Sequence, residues 1–140
     1  MGSNRVTIQR SFDEDAIADV LLHEDVLERF YLPDEPICIP FHPNCFYLMA
    51  RLNDDIAGIF PCYIKDDGFY MNVGFLPKYR GKIALYAMRE LIDWVKSHLP
   101  EKKMRCFILS GMKDVRRYAA SGGFRCISKN EDKYLYEIPQ

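Results

Sequence analysis

At 140 residues and 16.4 kDa, the chain has the length of one domain, enough to bury a core without disulfides or a metal as staples. Hydrophobic residues make up 49% and charged residues 28%, a globular composition that excludes the disordered and fibrous classes. A formal net charge of -1 removes the general electrostatic case for nucleic acid or an anionic membrane surface, so any anion site must be local.

No apolar run reaches bilayer length. The opening Met1-Gly2-Ser3-Asn4-Arg5-Val6 has neither a hydrophobic signal core nor the Ser or Thr of a myristoylation site. The expectation is a cytoplasmic protein with one domain over residues 1–140, residues 1–4 being flexible. Cys38, Cys45, Cys62, Cys106 and Cys126 are odd in number and widely spaced, mostly within apolar strand-like runs. No Cys-x-x-Cys or Cys-x-x-His pair supplies two ligands from one turn, so buried free thiols and no metal are expected.

In chain order, Arg5 to Arg10 alternates apolar and polar residues and predicts a strand. Ser11-Phe-Asp-Glu14 offers a capping box. Ile17, Val20, Leu21, Val26 and Leu27 carry a helical face onward, with room for a break near His23, until Pro33 and Pro36 stop it. Ile37 to Asn44, with two prolines and no period, reads as an ordered loop or edge segment. Cys45–Leu52, Ala57–Lys65 and Phe69–Phe75 read as three antiparallel strands separated by Asn53-Asp54-Asp55 and Asp66-Asp67-Gly68. Ala84, Ala87, Met88, Leu91 and Val95 recur at helical spacing and mark the core face of a helix ending before Pro100. Met104–Leu109 predicts a buried strand, Lys113–Ser121 a short helix stopped by Gly122-Gly123, and Phe124–Ser128 with Tyr134–Ile138 a final strand pair.

This order, together with Asn72-Val-Gly-Phe-Leu-Pro-Lys-Tyr-Arg-Gly-Lys82 leading into a helix, resembles the GNAT (Gcn5-related N-acetyltransferase) superfamily. Nearly the whole chain, Arg5 to Ile138, can be laid on that architecture. The resemblance implies an α/β (α+β) acyl-CoA N-acyltransferase fold, with a mixed central sheet of about six or seven strands and helices on both faces. Arg80 and Gly81 look like the opening of the family's Arg/Gln-x-x-Gly-x-Gly/Ala loop, although Ile83 stands at its second glycine and Leu85 at the following small residue. A loop feeding a helix N-terminus presents unpaired N–H groups to an anion, the dipole adds favourable potential, and glycine lets the backbone approach.

The resemblance therefore implies acetyl-CoA as cofactor. Val73, Gly74 and Phe75 would hold the thioester and pantetheine arm, the Arg80-Gly81-Lys82-Ile83 amides the diphosphate, and Lys78, Arg80 and Lys82 would add positive charge. Gly111 to Phe124 is similar to the family's helix that ends in Gly-Phe. That family places a tyrosine five residues before the Phe, where its hydroxyl can protonate the departing thiolate; Ala119 stands there. Tyr118, one residue early and about 100° round the helix, is the candidate acid if the Gly-Gly end shifts the register. Asp66, Asp67, Glu24, Glu28, Asp34, Glu35, His23 and His42 are weak candidates for a base.

Two functions follow. One is an acetyl-CoA-dependent N-acyltransferase acting on a small or peptidyl amine. The other is a catalytically degenerate protein on the same fold that binds a protein partner. The opening Asp-x-x-x-Ile-x-x-Val-Leu-Leu-His-Glu-Asp-Val with the later Phe-Leu-Pro-Lys-Tyr-Arg-Gly-Lys resembles a phage-encoded GNAT-like branch, some of whose members are head-assembly proteins; a viral chain would act in the host cytoplasm. Nucleic-acid binding is disfavoured, since Lys113, Arg116 and Arg117 form only a short basic helix edge and most aromatics lie in strand patterns.

Overall fold

The alternating start of the chain becomes strand β1 (Val6–Arg10), antiparallel to β2 (Cys45–Leu52), with Val6 opposite Leu52 and Arg10 opposite Leu48. The structure is a computed structural model that describes residues 5–23, 26 and 42–138. Expectations that fall on residues 24–25 and 27–41, including the Pro33 and Pro36 stop, most of the loop from Ile37, and Glu24, Glu28, Asp34, Glu35 and Cys38, lie outside the described residues, as do residues 1–4.

Helix α1 (Glu14–Leu21) is capped two residues later than the expected capping box. Its N-cap is Asp13, whose carboxylate accepts from the amides of Asp15 and Ala16, while the Ser11 hydroxyl accepts from the Asp13 amide at 3.3 Å. An anion at the cap satisfies two orphan donors and also meets the positive end of the helix dipole, which a serine hydroxyl does not. The helix ends at Leu21, before His23.

The meander is β2, β3 (Asp55–Lys65) and β4 (Gly68–Met71), but the single strand expected over Phe69–Phe75 is divided. β4 stops at Met71, and a separate β5 (Gly74–Phe75) follows. Pro61 is the reason on the partner strand. It accepts the Asn72 N–H at 2.9 Å but has no N–H to return, so the ladder lapses there. The Asn72 side chain then takes the Val73 N–H at 2.9 Å, and β5 resumes pairing with β3 at Ile59 and Gly58.

A one-turn 3₁₀ helix (Pro77–Tyr79) leads into α2 (Lys82–His98), followed by β6 (Met104–Leu109), α3 (Lys113–Ser121), β7 (Arg125–Lys129) and β8 (Lys133–Ile138). The sheet order is β1-β2-β3-β4-β6-β8-β7, with β5 beside β3, so eight strands form one mixed sheet; the β4–β6 pair is parallel. The division of one expected strand accounts for the strand beyond seven. Helices cover both faces. α1 buries Ile17 and Val20 against Tyr47, Met49 and Ile59 on one face. On the other, α2 buries the expected Ala84, Ala87, Met88, Leu91 and Val95, joined by Ala119 of α3.

α3 is closed by Gly123 in the left-handed region (φ 101°), with the Phe124 N–H returning to the Ala119 carbonyl at 3.0 Å, a Schellman-type end that needs glycine. Phe124 is therefore a buried plug and not the first residue of β7. Cys45, Cys62 and Cys106 are buried thiols outside any disulfide, as expected, but Cys126 is exposed: β7 is the outermost strand and each of its residues is exposed. No helix among the described residues is long and apolar enough to cross a membrane, and no group of three or more His, Cys, Asp or Glu side chains among them is placed to hold a metal.

Candidate functional site

β4 and β6 stay paired over only two registers, Phe69 with Met104 and Tyr70 with Arg105. Beyond them β5 follows β3 instead, so the sheet opens on the β6 side. The close fit of β5 onto β3 depends on Gly58, where a Cβ would come within 2.6 Å of the Phe75 ring and 2.7 Å of the Gly74 carbonyl oxygen. Val73, Gly74 and Phe75 form one wall of a cavity of about 480 Å³, and α3 contributes the facing wall through Asp114, Val115, Arg117, Tyr118 and Ser121.

The third side is the start of α2. Its N-cap, Gly81, has φ 95° and no side-chain cap, a backbone that only glycine adopts without strain. The first intrahelical bond runs from the Leu85 N–H to the Gly81 carbonyl at 3.0 Å, which leaves the amides of Lys82, Ile83 and Ala84 ahead of the hydrogen-bonded ladder. Arg80 ties this turn to the strand, its Nε donating to the Phe75 carbonyl at 3.1 Å. Among the described residues, cationic Arg80, Lys82 and Arg117 line the cavity with a single carboxylate, Asp114. An opened strand, an uncapped helix N-terminus and a cationic margin therefore surround one space, which suits a long ligand with an anionic end.

Residues 11–124 match the profile of the acetyltransferase (GNAT) family. The chain belongs to the GNAT family.

Among curated proteins none matches the sequence, but solved GNAT structures superpose on it. Spermidine N-acetyltransferase SpeG from Vibrio cholerae, as an F149G mutant, aligns with a TM-score of 0.74 at 11% identity, over 95% of this chain and 92% of that one. Ribosomal-protein-S5-alanine acetyltransferase from Vibrio fischeri gives 0.73 at 14% identity, over 98% and 94%. N-acetyltransferase PseH from Campylobacter jejuni, solved in complex with acetyl coenzyme A, gives 0.64 at 14% identity, over 71% and 70%. At such identities the likeness is one of fold. GNAT proteins use acetyl-CoA, the cofactor present in that complex.

Against the GNAT expectations, the fold gathers Val73, Gly74, Phe75, Arg80, Gly81, Lys82 and Tyr118 around the cavity. Lys78 and Ile83 are not on its walls. Lys78 is exposed, with its ammonium 4.9 Å over the Tyr79 ring, and the Ile83 side chain packs against the hydrophobic core; only its amide belongs to the anion-facing turn. Leu85, in place of a small residue, lines the cavity.

Ala119 and Tyr118 have different surroundings at the end of α3. Ala119 is buried in the core, and Tyr118 is the residue whose ring faces the cavity, meeting Phe75 edge-on at 6.5 Å. Its hydroxyl donates to the Ala84 carbonyl in the first turn of α2, and burial pushes its pKa well above that of an ordinary tyrosine.

The described base candidates lie elsewhere. Asp67 accepts from the Tyr70 hydroxyl at 2.9 Å and pairs with Arg105 at 3.2 Å, Asp66 sits in the same β3–β4 turn, His42 accepts the Asn44 N–H at 3.0 Å, and His23 follows α1. The α3 wall was missed apart from Tyr118. Its signal was present in the spacing, since Asp114, Arg117, Tyr118 and Ser121 recur at i, i+3, i+4, i+7 and so share one helical face.

Proposed function

We propose that this chain transfers an acetyl group from acetyl-CoA to the nitrogen of a small or peptidyl amine. The observation that carries the reading is the cavity itself, which joins the β5 edge at Val73–Phe75 to the uncapped start of α2 at Gly81. The amides of Gly81, Lys82 and Ile83 would hold the diphosphate, that of Arg80 being committed to the Pro77 carbonyl, with Arg80, Lys82 and, from further out, Lys78 supplying charge. The Val73–Phe75 backbone would hold the pantetheine arm and polarise the acyl carbonyl through an N–H. Bound in this way, acetyl-CoA supplies the activated acetyl group.

The protein's own contribution is chiefly positioning. The amine nitrogen forms the new bond to the acyl carbon as the carbon–sulfur bond breaks, the amine's proton passes to solvent, and the departing thiolate gains one. Tyr118, which shares the cavity wall with Ser121, would give that proton only on leaving the Ala84 carbonyl. We place this chemistry in the cytoplasm, where acetyl-CoA and amines are both supplied.

One observation favours a second reading, a binding protein without catalysis. Leu85 occupies wall space where the family carries a small residue, and Asp114 is the one carboxylate on the described walls. The phage-assembly form of that reading rests on the sequence resemblance alone.

Calorimetric titration with acetyl-CoA and with free CoA separates the two. Micromolar affinity, weakened at least tenfold in Arg80→Ala and several-fold in Lys82→Ala, is the expected outcome. No heat at millimolar ligand would leave a binding protein on a borrowed fold.

A further inference from the structure

Tyr118 touches two of the three sides of the cleft at once. Its ring packs edge-on against Phe75 of β5, and its hydroxyl reaches across to the carbonyl of Ala84, in the first turn of the helix start that faces the anion site. α3 is brought this close by a second contact one turn further along. A Cβ at Gly122 would lie 2.8 Å from the Met88 Cγ, so glycine is what lets the helices approach there. Tyr118 and Gly122 are four residues apart on α3, and Ala84 and Met88 four apart on α2, so each pair stacks on one helical face. The Tyr118–Ala84 bond and the Gly122–Met88 contact thus form two rungs of one interface.

The burial that raises the Tyr118 pKa keeps the hydroxyl protonated and a donor across the range in which a thiolate would need a proton. A donor already committed to a backbone carbonyl, and reluctant to give up its proton, is suited to holding two elements at a fixed distance.

We propose that Tyr118 is a positioning residue: its hydrogen bond to Ala84 sets the spacing between β5 and the first turn of α2, and through that spacing the affinity for the nucleotide end of the cofactor. The functional half of this inference rests on the acetyl-CoA reading above; the structural half stands without it.

Tyr118→Phe keeps the ring and removes only the hydroxyl. Two measurements on the full chain are needed: amide hydrogen exchange at residues 85–88, and calorimetric affinity for free CoA and for acetyl-CoA. Exchange in that turn is expected to quicken, and both ligands to bind roughly three- to tenfold more weakly by the same factor. Tyr86→Phe, which removes an exposed hydroxyl from the same helix, should change neither. Gly122→Ala, which forces the helices apart at the second rung, should reproduce the weaker binding, so the inference does not hang on one variant.

Unchanged exchange and unchanged CoA affinity in Tyr118→Phe would overturn the positioning role, and a fall in turnover alone would then assign the hydroxyl to proton transfer. Faster exchange in the variant, with no CoA binding even by the unaltered protein, would uphold the spacing role and remove the acetyl-CoA reading.

Discussion

β3 and β7 are strands of the same sheet with opposite environments. From Ala57 to Tyr63 every residue of β3 is buried, with α2 over one face and α1 over the other; from Arg125 to Lys129 every residue of β7 is exposed. The sheet therefore has a clamped half and an open half, and the cleft is built on the clamped one. β5, only two residues long, cannot hold itself in place and takes its position from β3. The wall expected to bear the ligand is thus as rigid as the core behind it, while β7 is free of that constraint.

The sharpest test of this contrast is Phe60→Ala. Phe60 is fully buried in β3 and packs edge-on against Phe75 of β5 at 5.6 Å. Emptying that site should cost about 3–5 kcal/mol in urea unfolding and abolish any CoA binding together with stability. A cost below about 1 kcal/mol would mean that β3 is not the clamp.

Gly58→Ala breaks the same contact from the other direction, by adding one methyl group. The added Cβ meets the Phe75 ring and the Gly74 carbonyl, and since one of these is backbone, β5 must move. A loss of about 1–3 kcal/mol is expected, with cofactor affinity falling further than stability because the displaced residues are wall residues. Parallel denaturation and calorimetry on this variant would show whether the two losses separate.

How much of this was legible in the sequence depended on whether the signal was local. The Ala84–Val95 face of α2 and the limits of β2, β6 and α3 could be read directly, because helical spacing and bounded apolar runs are written in neighbouring residues. The division at Asn72 was not, because its cause, Pro61, lies on the partner strand and acts only once the register is known. The N-cap was misplaced by two residues because Ser11 and Asp13 are both good caps, and their competition is settled by geometry. Arg80 and Gly81 were found from a motif, whereas Asp114 and Arg117 join the site because α3 crosses above β5. Of the two candidate cofactor residues that fall off the cavity wall, Lys78 rests on its charge beside the turn and Ile83 on motif position, and neither signal says which way a side chain faces.

A smaller effect should appear at alkaline pH. Burial raises the pKa of Tyr70, Tyr118 and Tyr136. Above the unfolded tyrosine value of about 10, the unfolded chain releases protons that the folded chain retains. Their contribution to stability should therefore be constant below that pH and fall above it. In Tyr118→Phe, thermal melts between neutral pH and the alkaline limb should lose part of that slope. An unchanged slope would mean that the hydroxyl is not buried in solution.

The smallest effect belongs to β7, where the contrast predicts tolerance. Ile127 is 49% exposed and sits at the break in the β7–β8 register between Cys126 and Ser128, the extra residue of a bulge. A bulge and the flanking Arg125 and Lys129 are the devices by which an outer strand discourages pairing with another chain, so Ile127, half exposed and outside the paired register, supports little of the fold. Ile127→Ser should change unfolding free energy by no more than about 0.5 kcal/mol. If it costs more than about 2 kcal/mol, and the cost grows with protein concentration, Ile127 is covered in solution by a second molecule. The open half of the sheet would then be an interface, and the contrast with β3 would hold for the isolated chain only.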